Sequence, residues 1–358
     1  MKGLEFPLVG TKVAGLTKKF DLTDLHSRRE YFEAKTGKEI TKLKDFLETG
    51  VFMAFLVGKK ASGKGTRAGM FAEVFGWDKV ALISAGDIVR EVHGELKTAS
   101  GRKDVQDYLE KNYRGYISVN EGIKAILGRS QDRVSVPDEI MLALMKREIA
   151  KHPGKAIFVD GFPRTLDQIS YSLFFRDLAR FRDDPDVFIL IDTPLSVIDE
   201  RIKYRVVCPK CKISRNIRLH ITRDIDYDSD SGNFVMHCDN PSCQRAVMIA
   251  KEGDNLGVEP IKGRLETDEK VLRSVLGIHG VPKVTLRTHV PVEKANSLFD
   301  EYEFTPEYVL SKDLKSRKVR VDEKIWVVKD DNDVASYSLV AAVDVVLMIK
   351  QLADILGL

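Results

Sequence analysis

The sequence predicts an α/β fold, a parallel sheet flanked by helices and interrupted by smaller inserted units, on three observations. Apolar runs of strand length recur at VFMAFLVG, KVALIS, KAIFVDG and DVFILID. Segments with helical spacing, such as PDEIMLALMKREIAKH, lie between them, and strands alternating with helices build parallel sheets. The first run is apolar throughout, which suits a central strand buried on both faces, and it passes directly into the glycine-rich GKKASGKGT.

Composition narrows the function classes. The 358 residues carry 57 basic and 54 acidic side chains, a formal charge of +3, which points to no polyanionic partner such as nucleic acid. At 43% hydrophobic and 31% charged the chain folds rather than remaining disordered. The start, MKGLEFPLVGTKVAGLTKKF, lacks the apolar core of a signal peptide, and Asp344 breaks the most apolar tail segment. A cytoplasmic protein without membrane contact is expected.

In chain order, residues 1–50 are polar with apolar positions at helical intervals and predict a helical extension before the main fold. Residues 51–83 hold the first strand, the glycine-rich loop and the second strand. Residues 84–150 contain helical patterns, including YLEKNYRGYISVNEGIKAIL, and 151–205 return to strands. Residues 206–263, rich in Arg, Asp, Ser and Gly, break the rhythm and hold all four cysteines. From 264 to 358 the pattern is weaker, with KVTLRT and KIWVVKD as strand-like pieces and SLVAAVDVVLMIKQLADIL as a closing helix.

The loop from Gly58 to Thr66 fits GxxxxGK followed by Gly-Thr, between a strand and a helix. Such a loop aims successive backbone N–H groups at phosphate oxygens, and small residues keep the backbone accessible. Lys64 adds positive charge, and the helix N-terminus adds its dipole. Cys208-x-x-Cys211 and Cys238-x4-Cys243 are two close pairs separated by 26 residues. In a reducing compartment this spacing points to a structural tetrahedral Zn2+; free thiols or a redox pair are the alternatives, and His220 or His237 is near enough to replace one cysteine.

Three further segments, ISAGDIVR (83–90), VSVPDE (134–139) and VDGFPRTLDQ (159–168), follow in order. With GKKASGKGT and the cysteine pairs, the chain over residues 51–270 resembles the adenylate kinases whose lid carries zinc. The resemblance implies a P-loop NTPase core, a helical monophosphate-binding insert at 84–150 and a zinc-binding lid at 206–263. It also implies reversible transfer from MgATP to AMP, giving two ADP, by a monomer. For ATP it implies contacts from Gly58, Ala61, Ser62, Gly63, Lys64, Gly65 and Thr66, with Arg201 and Arg205 at the lid entrance. For AMP it implies Ala85, Gly86, Arg90, Val136, Gly161, Phe162, Arg164, Gln168, Lys251 and Arg264, with Gln168 reading the adenine edge. The catalytic set it implies is Lys64, Asp160, Arg164, Arg201, Arg205 and Arg264, Asp160 facing the water shell of Mg2+. A cleft of Lys and Arg around a transferring phosphoryl group is what that transition state requires.

The sequence departs from the family pattern at several points. Lys59, Lys60 and Ala61 stand where a small residue, Pro and Gly are usual, Ala85 replaces a threonine, and Lys251 stands for a lid arginine, with Arg245 nearby as a substitute. The second cysteine pair has a longer spacing, and the stretch from Arg90 to Val134 is longer than a compact relative needs. A kinase for another acceptor base is one alternative. A zinc-dependent nucleic-acid module, suggested by KISRNIRLHITR, is another, disfavoured by the charge balance and the missing aromatic platform.

Overall fold

The structure is a computed structural model that describes residues 2–3, 6–132, 136–166, 168, 184–312 and 319–358. Val134 and Ser135 of VSVPDE and Asp167 of VDGFPRTLDQ lie outside them.

The helical extension, α1 (Leu25–Thr49), is two helical stretches that meet at a kink at Thr36, whose φ of −156° and ψ of 29° are not helical, and it is preceded by turns and extended chain. It starts at Leu25 because the Asp24 carboxylate accepts the Ser27 amide at 2.9 Å, an N-cap bond. Its apolar stripe of Tyr31, Phe32, Ile40, Leu43 and Leu47 is buried, which makes the extension a layer of the core. Then come β1 (Met53–Gly58), α2 (Lys64–Phe75), β2 (Val80–Ser84), α3 (Ala85–Glu95), α4 (Ala99–Asn112), α5 (Val119–Asp132) and α6 (Asp138–Ala150). The segment YLEKNYRGYISVNEGIKAIL, read as helical, is two helices broken at 113–118. Ser118 and Glu121 form a reciprocal capping box that starts α5.

After β3 (Ala156–Asp160), β4 (Asp186–Asp192) and α7 (Leu195–Lys203) comes the cysteine module, with short antiparallel strands β5 (Arg205–Val207), β6 (Ser214–Asn216), β7 (Ile225–Asp228), β8 (Asn233–Met236) and β9 (Ile249–Ala250). Helix α8 (Lys262–Leu276) leads back to β10 (Lys283–Arg287), which completes a parallel sheet in the order β10-β4-β1-β3-β2. Phe52, Ala54 and Leu56 face one core layer with α1 and α2, while Met53, Phe55 and Val57 face the other with α3 and α6. Burial on both sides explains the unbroken apolar run. The chain leaves β1 toward β3 and β2 on one side and toward β4 and β10 on the other, so the crevice beyond the C-terminal end of β1 is the expected ligand position of such sheets.

The remaining elements are β11 (His289–Pro291), α9 (Val292–Leu298), β12 (Pro306–Lys312), β13 (Val319–Ile325), β14 (Val327–Lys329), β15 (Ala335–Ser338) and α10 (Ala341–Ile355). The closing helix read from Ser338 starts three residues later. The β12–β13 hairpin reaches the cysteine module: the Tyr308 amide donates to the Arg218 carbonyl at 2.7 Å. The Arg218 guanidinium lies between Glu307 and Glu200, and Trp326 and Val328 pack with Leu219 and Val197.

A buried polar knot ties α1 to this C-terminal part. Glu303 Oε1 accepts from Tyr31 Oη at 2.6 Å and Thr11 Oγ1 at 2.7 Å, and lies 3.4 Å from Lys35 Nζ, which also pairs with Asp300 at 2.6 Å. The Lys35 and Glu303 side chains are fully buried. Glu303→Ala leaves two buried hydroxyls without their acceptor and Lys35 with a single partner, so urea unfolding is expected to show a loss of about 3–5 kcal/mol. Tyr31→Phe is expected to cost only about 1 kcal/mol. Equal losses in the two variants would contradict an ionic origin.

Candidate active site

The parallel register brings the ends of β1, β3 and β2 to one edge, with Leu56 opposite Asp160 and Ser84 opposite Asp160 from the other side. The glycine-rich loop, the Gly161–Arg164 turn and the start of α3 therefore share one rim. In the loop, Gly63 takes φ 86°, a left-handed conformation, and a Cβ there would collide with the Arg67 guanidinium. Ala61 adopts φ 64° despite its side chain, a backbone conformation that persists only where its surroundings impose it. At Gly161, φ is 88° and a Cβ would strike the Arg164 guanidinium.

Lys64 Nζ donates to the carbonyls of Gly58 at 2.9 Å and Lys59 at 3.2 Å, and lies 3.8 Å from Asp160 Oδ1. Burial pushes its ammonium below the usual lysine range; Asp160 and Asp268 pull it up, and Arg264 and Arg164 push it further down. The Lys60 ammonium is likewise lowered, first by burial and then by the like charges of Arg264, Lys251 and Arg205. Lys60, Lys64, Arg164, Arg264, Asp160 and Asp268 line one cleft of about 160 Å³.

The other positions read from sequence are placed as follows. Arg201 lies against the loop beside Arg67, its Nη1 3.5 Å from the Ser62 carbonyl. Burial, with Arg67 close by, pushes its guanidinium down to about 10. Arg205 makes two bonds to Asp254, at 2.7 and 2.8 Å. Ala85 is buried and Gly86 follows it at the start of α3, while Arg90 is exposed and paired with Asp87. Val136 and Phe162 are buried. Gln168 is buried with its amide engaged: Oε1 accepts the Arg164 amide at 2.5 Å and Nε2 donates to Asp138 at 2.7 Å. Lys59, which the sequence left between phosphate contact and solvent, is buried and holds Asp331 at 2.8 Å and the Thr193 carbonyl at 3.3 Å. The loop thus engages the turn after β14. Lys251 is exposed, and Gly65 and Thr66 occupy the first turn of α2.

Sequence reading missed Asp268, whose Oδ2 accepts the Lys60 amide at 2.7 Å. The available signal was its spacing, one helical turn after Arg264 and so on the same face of α8. Arg67 and Asp344 were also missed; both are buried, and they pair beneath the loop.

In the module, the four cysteine sulfurs lie within 4.8 Å of one another, and Cys211 Sγ is 3.6 Å from Cys238 Sγ. Tetrahedral Zn–S bonds of about 2.3 Å put sulfurs about 3.8 Å apart, so the donor set fits zinc. Burial opposes ionisation at Cys208, yet amide bonds from Cys211 and Lys210 bring its thiol down to about 6, while burial and the neighbouring thiols push Cys243 up to about 12. Four clustered thiols resist shared ionisation, and a dication relieves that conflict. The two nearby histidines stand apart: His237 bonds Asp226 and the Arg245 carbonyl, while burial brings His220 down to about 4. Arg245 is bound to Asp224 and Asp226, within the module.

No helix among the described residues is long and apolar enough to cross a membrane. No family model matches the chain. Among curated proteins it is similar to the adenylate kinase of Kosmotoga olearia, 34% identical over 158 residues, covering 44% of this chain and 60% of the relative. It is also similar to those of Mesoplasma florum, 30% identical, covering 45% of this chain and 63% of the relative, and of Clostridium novyi, 32% identical, covering 46% and 64%. The chain thus spans less than two thirds of the length of these relatives. The glycine-rich loop between β1 and α2, the parallel sheet order and these consistent similarities together place it: the chain belongs to the adenylate kinase family.

Proposed function

We propose that the chain catalyses reversible phosphoryl transfer from MgATP to AMP, giving two ADP. The observation that carries the reading is the convergence of Lys60, Lys64, Arg164 and Arg264 with Asp160 on one cleft at the end of β1. Lysines and arginines crowded together against their mutual repulsion are matched by a polyphosphate. Residues 84–150 serve as the monophosphate-binding insert and 206–263 as a lid on the P-loop kinase core. The four cysteines hold a structural Zn2+, which contributes stability to the lid and no chemistry.

In this mechanism the loop amides and Lys64 hold the donor phosphates, and Arg164 with Arg90 grips the acceptor phosphate. Arg264 closes from α8, the lid brings Lys251 toward the transferring group, and Arg201 and Arg205 stand at the lid entrance. Near in-line alignment of acceptor and leaving oxygens supplies most of the rate, and a strong general base is dispensable. Magnesium, when bound with ATP, would neutralise phosphate charge, and Asp160 would hold its water shell. Lid closure excludes water, which competes with the acceptor.

A second reading, another acceptor base, is favoured by two observations: the Gln168 amide already bonds Arg164 and Asp138, and Ala85 offers no hydroxyl. Initial rates with ATP against AMP, UMP, CMP and GMP are expected to rank AMP first. Arg164→Ala is expected to raise the acceptor KM by about tenfold or more, from loss of a charge-assisted pair. A better rate with UMP or CMP would replace AMP as acceptor, and no transfer to any of the four would overturn the kinase reading.

A further inference from the structure

Two peptide carbonyls of the glycine-rich loop are captured from below. Arg67 Nη1 donates to the Ser62 carbonyl at 2.7 Å and to the Gly63 carbonyl at 3.0 Å. Its Nε donates to Asp344 Oδ2 at 2.8 Å, and Nη2 bonds the same oxygen. The Arg67 side chain is 1% exposed and Asp344 is 0% exposed. Asp344 is the one ionisable residue of the first two turns of α10, an otherwise apolar stretch. An isolated carboxylate in such a place is costly, and its partner repays that cost only with good geometry.

A trans peptide directs its C=O and the following N–H to opposite sides. Holding the carbonyls of Ser62 and Gly63 down on Arg67 therefore turns the amides of Gly63 and Lys64 away from Arg67. Lys64 itself holds the carbonyls of Gly58 and Lys59. The loop keeps two left-handed residues, Ala61 and Gly63, so it needs such outside anchors to stay in this shape.

We infer that Arg67 and Asp344 are positioning residues for the donor nucleotide: from beneath the loop, the pair aims the Gly63 and Lys64 amides at a polyphosphate. The inference rests on the reading of this loop as the ATP phosphate cradle. Arginine is required because one planar fork must reach two carbonyls and a carboxylate at once; a lysine keeps the charge and loses that geometry.

The test uses the full chain with Arg67→Gln, Arg67→Lys, Asp344→Asn and the double variant Arg67→Gln/Asp344→Asn. Thermal stability, ATP and acceptor KM, and direct binding of ATP and inorganic tripolyphosphate are measured. Arg67→Gln and Arg67→Lys are expected to raise the ATP KM by about tenfold, the scale of one lost charge-assisted bond, with the acceptor KM within about twofold. Asp344→Asn alone leaves a buried, uncompensated guanidinium and lowers stability. The double variant removes both charges, so stability returns while the ATP KM stays raised. If the ATP KM returns with stability, or if Arg67→Gln leaves ATP binding unchanged, the pair is only structural and the inference fails. A wild-type chain that binds ATP but phosphorylates no monophosphate defeats the kinase reading alone, and the inference is then decided by the dissociation constants. A wild-type chain that binds neither ATP nor tripolyphosphate overturns the cradle and the inference together.

Discussion

Lys64→Met is expected to lower kcat for phosphoryl transfer by about 10²–10³-fold, the cost of removing one preorganised charge that faces the developing negative charge. The Lys64 ammonium is held at 2.9 and 3.2 Å by two carbonyls of its own loop, so it is in place before substrate arrives and needs no reorganisation during transfer. Its burial weakens competition from water, and Asp160 at 3.8 Å keeps it charged without taking up its full bonding capacity. ATP binding is expected to weaken less than kcat falls, because the loop amides remain. The substitution also releases the Gly58 and Lys59 carbonyls, at about 1 kcal/mol each, so stability is measured alongside. A variant that melts normally, binds ATP and keeps its kcat would remove Lys64 from the transition state.

Strand by strand, the sheet was legible in the sequence. Four of its strands are apolar runs buried on both faces, and GKKASGKGT between a strand and a helix located the cleft. What escaped reading depends on contacts distant in sequence. Asp344 looked like an interruption in an apolar tail, yet its partner Arg67 lies 277 positions earlier. The knot of Thr11, Tyr31, Lys35 and Glu303 likewise joins the two ends of the chain, and no local pattern signals it. The break at 113–118 was readable in principle, since Ser118 and Glu121 stand at capping-box spacing; helical propensity on both sides concealed it. Gln168 shows a different limit. A motif specifies that an amide stands there, while only the fold shows that its oxygen and nitrogen are engaged by Arg164 and Asp138.

The second large effect is expected from the cysteines. Removing the proposed zinc with a chelator, or introducing Cys208→Ser, is expected to unfold the proposed lid while the sheet domain stays folded. The reason is the size of the lid's own core: Cys208, Met236, Cys238, Cys243 and Met248 are its buried apolar cluster, and three of these are ligand candidates themselves. So little burial cannot offset the entropy of ordering a module of this length. Metal binding contributes about 10–16 kcal/mol in small zinc-dependent folds, so losing even a quarter of it shifts a small module's melting by more than about 10 °C. Calorimetry of the stripped protein is expected to show the lid transition lost or shifted downward, with the core transition nearly unchanged. The brace from Arg218 to Glu307 and Glu200 anchors the base of the module to the β12–β13 hairpin and α7. Arg218→Ala should therefore widen the gap between the two transitions in the stripped protein and matter less in the loaded one. Elemental analysis is expected to find one zinc per chain before stripping and none after. Stripped protein with an unchanged melting profile, or purified chain without zinc that melts as one unit, would show that the four cysteines pack as free thiols.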